Sequence, residues 1–196
     1  MHNAKTFDIR TITALLVDNG FIAEQIDTSD HYCTNTTYQP TEAAYVIVKP
    51  MPLEGPSGGI RYNQLITLIN LAKEHSFSIH PVSKGLNLGY GGFEPFGDSI
   101  VVDLSHFNRI SNYDEATGQI TVEPGVTQEA ISQFLKDKGN VFIHDTTGAP
   151  KQASVIGNYL ERGFGHTPLA EHAKNILHAQ VIVPLAKHEQ PVLFIT

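Results

Sequence analysis

The sequence predicts an α+β fold, and three observations carry that reading. Short β-rich runs follow one another without an intervening helix, as in "SIVVDL" (99–104) and "GQITVEP" (118–124). Two stretches place apolar residues on one helical face: Leu65, Leu68, Ile69 and Ala72 in the first, Ala130, Ile131, Phe134 and Leu135 in the second. The order of elements is mixed, whereas a repeating parallel α/β sheet alternates strand and helix.

From the N-terminus, residues 1–40 read as an extension: a short helix around Ala14–Val17, then the polar stretch "DTSDHYCTNTTYQP". "AAYVIVKP" (43–50) is a β-rich run stopped by Pro50 and Pro52, and "MPLEGPSGG" is a loop by its Pro and Gly content. The helix over Leu65–Ala72 comes next. "FSIHPV" (77–82) is a strand that enters the glycine-rich "PVSKGLNLGYGG" (81–92). The turn-rich "SNYDEATG" separates the strands 99–104 and 118–124. Ile120 and Val122 alternate with polar neighbours, so one face of that strand is buried. Thr127 is placed to cap the second helix and Gly139 to stop it. "VFIH" (141–144) reads as another strand, and "ASVIGNYLERG" (153–163) as a turn into a short helix capped by Ser154. "NILHAQVIVP" (175–184) reads as a long closing strand.

Composition narrows the function. The 196 residues, 41% hydrophobic and 17% charged, are globular values and enough to bury a core. A net charge of -7 without a basic stripe argues against nucleic-acid partners and a polybasic membrane patch. The single cysteine, Cys33, rules out an internal disulfide framework and suits a reducing compartment. "MHNAKTFDIRTITALLV" lacks the apolar core of a secretory signal, and runs such as "AAYVIV" are too short to cross a bilayer. A cytoplasmic protein without membrane insertion is therefore expected. No metal site is expected either. His166, His172 and His178 are six apart and share no helical face as an i, i+4 pair does, and Cys33 has no C-x-x-C partner. His144 beside Asp145 reads either as an acid–base pair or as a strand-end turn. Glu123, at a strand end, is expected to be solvated.

The glycine loop is the most unusual stretch. Its bare backbone serves either as a packed turn or as a concavity of N–H groups for an anionic oxygen, with Ser83, Asn87 and Lys84 as further donors. It is not a P-loop, since G-x-x-x-x-G-K-[ST] is absent, and it does not open a helix as a G-x-G-x-x-G motif does. A second segment, "TTGAPKQASVIGNYLERGFGHTP" (146–168), is also rich in small residues. Two such segments can clamp an extended ligand such as a dinucleotide.

"HPVSKGLNLGYGG", "IVVDLSHFNRI", "ITVEPGVTQEAISQFL" and "TTGAPKQASVIGNYLERGFGHTP", in this order and spacing, resemble the PCMH-type FAD-binding domain of the vanillyl-alcohol oxidase and p-cresol methylhydroxylase family. The resemblance runs from about Tyr45 to Pro184. It implies an α+β domain over 41–184, with two subdomains holding FAD between them, and an atypical tail over 185–196. The loop would embrace the FAD diphosphate, with Val82, Ser83, Lys84, Gly85, Leu86, Asn87, Leu88, Gly89, Tyr90 and Gly91 in contact; Tyr90 either flanks the flavin or covers the loop. Thr147, Gly148, Ala149, Ser154, Gly157, Asn158, Glu161, Gly163 and His166 would line the flavin ring and ribityl chain. Val181 and Ile182 would offer main chain near the adenine. The implied chemistry is hydride transfer from an organic, alcohol or phenolic, substrate to FAD.

Three departures from the family pattern matter. Relatives continue into a cap domain, and the tail "LAKHEQPVLFIT" lacks the usual acidic-glycine turn. The expectation is thus either an oxidoreductase represented by its flavin-binding part, a non-catalytic flavin-binding subunit, or a truncated fragment needing a partner chain for the cap. The segment "PVLFIT" either covers an open edge or pairs with another chain, so a homo-oligomer is expected. Asn87 stands near the place where some relatives carry a histidine linked to FAD, so FAD is expected to be non-covalent. Ala149 stands near the place of a flavin-side aspartate, and His166 replaces a common tyrosine. No catalytic residue is named.

Overall fold

The computed structural model describes residues 8–26, 45–53, 61–86, 99–139, 141–145, 147–168, 171–183 and 192–195. The chain opens with α1 (Ile9–Asp18), whose first turn is capped by Asp8; the Asp8 carboxylate accepts from the Arg10 amide at 3.2 Å. Then come β1 (Ile22–Ile26), β2 (Tyr45–Lys49), α2 (Asn63–His75), β3 (Ser78–Val82) and β4 (Ser99–Asp103). The strands form one sheet in the order β1-β2-β4-β3, with β1 antiparallel to β2 and the others parallel.

Strand alternation sorts the side chains of this sheet. Val46, Val48, Ile100 and Val102 point to one face, where Ile12, Leu16, Phe21, Leu68, Leu71, Ala72 and Phe77 close a core under α1 and α2. Each fully buried aliphatic side chain there contributes roughly 1.5–3 kcal/mol. Ile47, Val82 and Val101 are buried on the opposite face. All five residues of β4 are buried, as expected of a central strand in parallel pairing.

The second half builds on the hairpin of β5 (Ile110–Asp114) and β6 (Gln119–Val122). The Asp114 carboxylate accepts from the Ala116 amide and the Thr117 hydroxyl, fixing the turn that Gly118 closes at φ +72. α3 (Gln128–Asp137) is capped by Thr127, whose hydroxyl accepts from the Ala130 amide at 3.1 Å. It packs Ile131 and Leu135 against Val126 and Val155. A short α4 (Val155–Leu160), a 3-10 turn over His172–Asn175, β7 (Gln180–Val183) and β8 (Val192–Ile195) complete the described elements. No helix among the described residues is long and apolar enough to cross a membrane.

Several sequence expectations need correction. The stretch 141–144 is not a strand: no described strand pairs with it, and Val141 and Ile143 are 61% and 83% exposed. The closing strand is shorter than 175–184, because the chain first makes the 3-10 turn and regains β geometry only at Gln180. The first half of "SNYDEATG" is strand rather than turn, and Ala130 is exposed while Gln128 is buried. β1 was not anticipated at all, and with α1 it joins residues of the 1–40 stretch to the first sheet and its core. Within the chain, β8 from the tail pairs antiparallel with β7.

Candidate functional site

The C-terminal end of β3 delivers the first glycine segment. Val82 is buried and its carbonyl accepts from the Leu104 amide at 2.8 Å, which anchors the start of the loop beside β4. Ser83, Lys84 and Gly85 are half-buried and Leu86 is exposed. Gly85 has φ +64, a left-handed conformation that a side chain disfavours. Asn87, Leu88, Gly89, Tyr90 and Gly91 lie outside the described residues, as does Cys33.

The second segment meets the first at Gly157. A Cβ placed on Gly157 lies 3.8 Å from the Ser83 hydroxyl oxygen and 3.4 Å from Ser154 Cβ. The two glycine segments, more than seventy residues apart in sequence, therefore share one junction. Gly148 faces open space, with nothing within 4 Å of its would-be Cβ. Ser154 caps α4: its hydroxyl accepts from the Gly157 amide at 2.9 Å and donates to the Pro124 carbonyl at 2.6 Å. An open groove of about 410 Å³ runs between α3 and residues 147–151, lined by Gln128, Ser132, Lys136, Thr147, Ala149 and Lys151, and none of Ser83, Ser154 or Gly157 lines it.

In the second segment several amides are engaged within the protein. The Gly157 amide meets Ser154, the Gly163 amide the Asn158 carbonyl at 2.8 Å, the Ala149 amide the Thr147 hydroxyl at 3.4 Å, and the His166 amide the Asp145 carboxylate at 3.3 Å. Any ligand contact from these residues thus runs through other atoms. Glu161 and His166 are exposed, and Ile182 is half-buried on β7.

A buried polar cluster lies behind this segment. The Asn158 amide group donates to the Thr147 hydroxyl at 3.4 Å, and its carbonyl meets His172 Nδ1 at 2.5 Å. His172 is fully buried, and its Nε2 lies 3.6 Å from the Asp145 carboxylate. Asp145 also accepts from the Thr167 hydroxyl at 2.8 Å. Burial pushes the Asp145 carboxyl up, but the Thr167 and His166 donors and the nearby His172 together hold it below the usual carboxylate range. His144 does not pair with Asp145. Its Nε2 meets the Gln128 side-chain oxygen at 2.5 Å, and its ring lies against Tyr159 at 6.2 Å. Burial, and then the neighbouring His172, push the His144 imidazole below its ordinary value.

Glu123 corrects the expectation most sharply. It is buried, not solvated, and pairs bidentately with Arg61, at 2.5 Å from Nε and 2.7 Å from the second guanidinium nitrogen. The Tyr62 hydroxyl donates to it at 3.1 Å and the Arg109 amide at 2.8 Å. This pair ties the N-terminal end of α2 to the end of β6, and so joins the two halves. In the sequence Glu123 reads as a strand-end carboxylate and His172 as one of three histidines six apart, and neither pattern points to a buried polar contact. The only signal is that Glu123 precedes a Pro-Gly stop, and that Gly125 cannot bear a side chain, since a Cβ there meets the Ser105 carbonyl oxygen at 2.5 Å.

Residues 61–188 match the family described as FAD binding domain. The chain is 37% identical over 117 residues to 1'-carboxy-chondrochloren decarboxylase of Chondromyces crocatus, covering 59% of this chain and 22% of that protein. It is 30% identical over 131 residues to the 4-cresol dehydrogenase [hydroxylating] flavoprotein subunit of Pseudomonas putida, covering 62% of this chain and 25% of the relative. The chain thus spans about a quarter of the length of these curated relatives. A solved structure of p-cresol methylhydroxylase with substrate bound shares the fold, with a TM-score of 0.69 at 24% identity, covering 96% of this chain and 34% of that one.

Proposed function

Because the chain belongs to the FAD-binding domain family, in its p-cresol methylhydroxylase form, we propose that it is the FAD-holding part of a flavin-dependent oxidoreductase. The observation that carries this reading is the junction of Ser83 with Gly157. Two segments with bare backbone face one another there, and a larger side chain on Gly157 would fill the space between them. Residues 41–184 form the FAD-binding region in this reading. Residues 82–91 embrace the diphosphate. Thr147, Gly148, Ala149, Ser154, Gly157, Asn158, Glu161, Gly163 and His166 line the ring side, and the main chain of Ile182 lies toward the adenine.

FAD, when bound, accepts a hydride from an organic substrate. The chain's own residues place it and shield it from water. Ser154 holds α4 against the Pro124 turn, and so fixes Gly157 opposite Ser83. The substrate is an alcohol or a phenol in this reading, as the names of the cresol-processing relatives suggest. FAD is held non-covalently. The single cysteine, which suits a reducing compartment, supports a cytoplasmic place of action.

Purification tests this directly. The chain should be yellow, or turn yellow with added FAD, and release the flavin into the supernatant on acid precipitation. Colour that stays with the precipitate overturns the non-covalent link. A folded chain that takes up no FAD overturns the reading itself. Gly157→Leu should lose FAD while keeping its far-ultraviolet circular dichroism. Bleaching by a phenolic alcohol under anaerobic conditions would extend the reading to turnover.

A further inference from the structure

We infer that Arg61 and Glu123 are the positioning residues of the cleft: their buried pair sets how the two glycine segments meet, by fixing the turn that carries α4 to the part of the chain that carries β3. The inference deepens the FAD reading and rests on it only for its effect on cofactor binding. Arg61 belongs to the first half. Its carbonyl accepts from the Leu53 amide at 3.3 Å, and α2 begins two residues later. Leu68, Leu71 and Ala72 of α2 pack on the sheet whose strand β3 ends at Val82, next to Ser83. Glu123 belongs to the second half. Its amide donates to the Arg109 carbonyl at 3.0 Å, and its carbonyl accepts from the Val126 amide at 3.0 Å. Three bonds then tie this turn to the start of α4. The Ser154 hydroxyl donates to the Pro124 carbonyl, the Val155 amide to the Val126 carbonyl, and the Gln128 amide to the Ala153 carbonyl at 3.0 Å. Ser154 in turn accepts from the Gly157 amide, and Gly157 lies against Ser83. The ion pair is thus one link in a continuous path from one glycine segment to the other.

The chemistry of this link is directional. A well-packed apolar contact of the same volume would join the halves about as firmly, since desolvating two charges offsets much of their attraction. What the ion pair adds is geometry. A guanidinium fork meets both carboxylate oxygens only when the two groups are in plane and in register. Both Glu123 oxygens accept from Arg61 here, and the Tyr62 hydroxyl and Arg109 amide add a further donor to each. Arg61 and Glu123 are 5% and 6% exposed, so bulk water has little access to compete. A second line of contact runs beside the pair. The Gly125 amide donates to the Phe107 carbonyl at 2.6 Å, and the Phe107 ring stacks on Tyr62 at 5.7 Å between centroids. That line keeps the turn close to the end of β4 whatever side chain stands at 123. Glu123 therefore governs the angle of the turn, and its loss opens the Ser83–Gly157 junction in a chain that stays folded.

Crosslinking of the FAD-free chain tests this. The single native cysteine is removed by Cys33→Ser, and Ser83→Cys is combined with Gly157→Cys. Ser83 Oγ and a Cβ on Gly157 are 3.8 Å apart, within the reach of a disulfide. This parent should form the bond readily under mild oxidant. Adding Glu123→Gln should slow its formation about tenfold, the scale of losing a buried hydrogen bond to a charged group. Whichever way the new amide turns, its NH₂ meets a guanidinium donor, because both oxygens of Glu123 accept from Arg61. Arg61→Lys keeps the charge but not the fork, and should slow the bond less. With Ser83 and Gly157 restored, the same two substitutions should weaken FAD binding in the same order, Glu123→Gln by about tenfold. Leu16→Ala, a cavity in the core under α1, is the control for lost stability; compared at equal fraction folded, it should keep the parent rate and affinity. A folded Glu123→Gln chain that crosslinks at the parent rate overturns the inference. So does equal slowing by Leu16→Ala, or a parent that does not crosslink. If Glu123→Gln is unfolded, Arg61→Lys decides by the same criteria. If the wild type takes up no FAD, the cofactor reading fails, and crosslinking alone upholds or overturns the positioning role.

Discussion

Two polar clusters, one built on the buried Arg61–Glu123 pair and one around the buried His172, differ in how completely they are satisfied. At Arg61–Glu123, both carboxylate oxygens of Glu123 accept from the guanidinium and take further donors from Tyr62 and the Arg109 backbone. At Asp145–His172–Asn158, His172 Nε2 has the Asp145 carboxylate 3.6 Å away but no hydrogen-bond partner among the described residues, and neither has the neighbouring Gln128 Nε2. A low-dielectric interior penalises an unanswered polar atom more than it rewards an answered one. The first cluster is therefore a closed joint between the two halves. The second is less completely satisfied among the described residues, and it lies directly behind the segment proposed to line FAD. Connecting them is the turn 123–127, where the Pro124 carbonyl accepts from Ser154 and the Val126 carbonyl from the Val155 amide at 3.0 Å.

The largest effect should come from breaking the closed joint. Glu123→Gln removes the carboxylate that meets the buried Arg61 bidentately, a loss of roughly 3–5 kcal/mol by urea denaturation. Burial pushes the Glu123 carboxyl up, but the Arg61 hydrogen bonds, the Arg109 amide and the Arg61 charge outweigh it and hold the group below its ordinary value. Its stabilisation is thus present above the unfolded value of about 4.3 and lost as the pH falls through the lower folded value. Glu123→Gln should remove that acid-side loss from the stability profile. A cost under about 1 kcal/mol would put this pair in the class of surface bridges and dissolve the contrast.

A smaller effect is expected where backbone wraps the second cluster. Gly163→Ala pushes a methyl into the Asn158 side chain and should cost roughly 1–3 kcal/mol by thermal denaturation. It should also weaken FAD uptake, which a purely local clash would leave intact. Ser154→Ala removes the cap of α4 and the bond to Pro124 and should cost about 1 kcal/mol. That loss should be non-additive with Glu123→Gln if the turn 123–127 couples the two clusters, and a double-mutant cycle reads the difference. Least affected should be Lys151→Ala. Its 2.5 Å pair with Glu129 is exposed on both sides and should be worth at most about 0.5 kcal/mol. A larger value would show that α3 is braced by surface charge rather than by its apolar face.

Local signals carried much of the fold. The α3 cap at Thr127, the apolar spacing of Ile131 and Leu135, and the positive φ of Gly139 stand where periodicity and turn chemistry put them. The same holds for the Ser154 cap of α4 and for Leu68, Ile69 and Ala72 on α2. The readings that failed were ones set by a distant partner. "VFIH" has strand-like residues but no described strand beside it, and β propensity without a ladder does not make a strand. β1 is a strand because β2 pairs with it. Glu123 looks like an ordinary strand-end carboxylate until Arg61, 62 residues earlier, is brought against it.

The sequence by itself determined the α+β class, the two helices with one apolar face, the caps, and the two glycine-bearing segments, because period, propensity and φ preference act within a few residues. Tertiary structure alone decided that Ser83 faces Gly157, that Glu123 is buried and paired, and that His172 stands between Asn158 and Asp145. Hydrogen bonds and ion pairs are properties of distance and burial, and neither exists along a chain until its folding brings remote residues together.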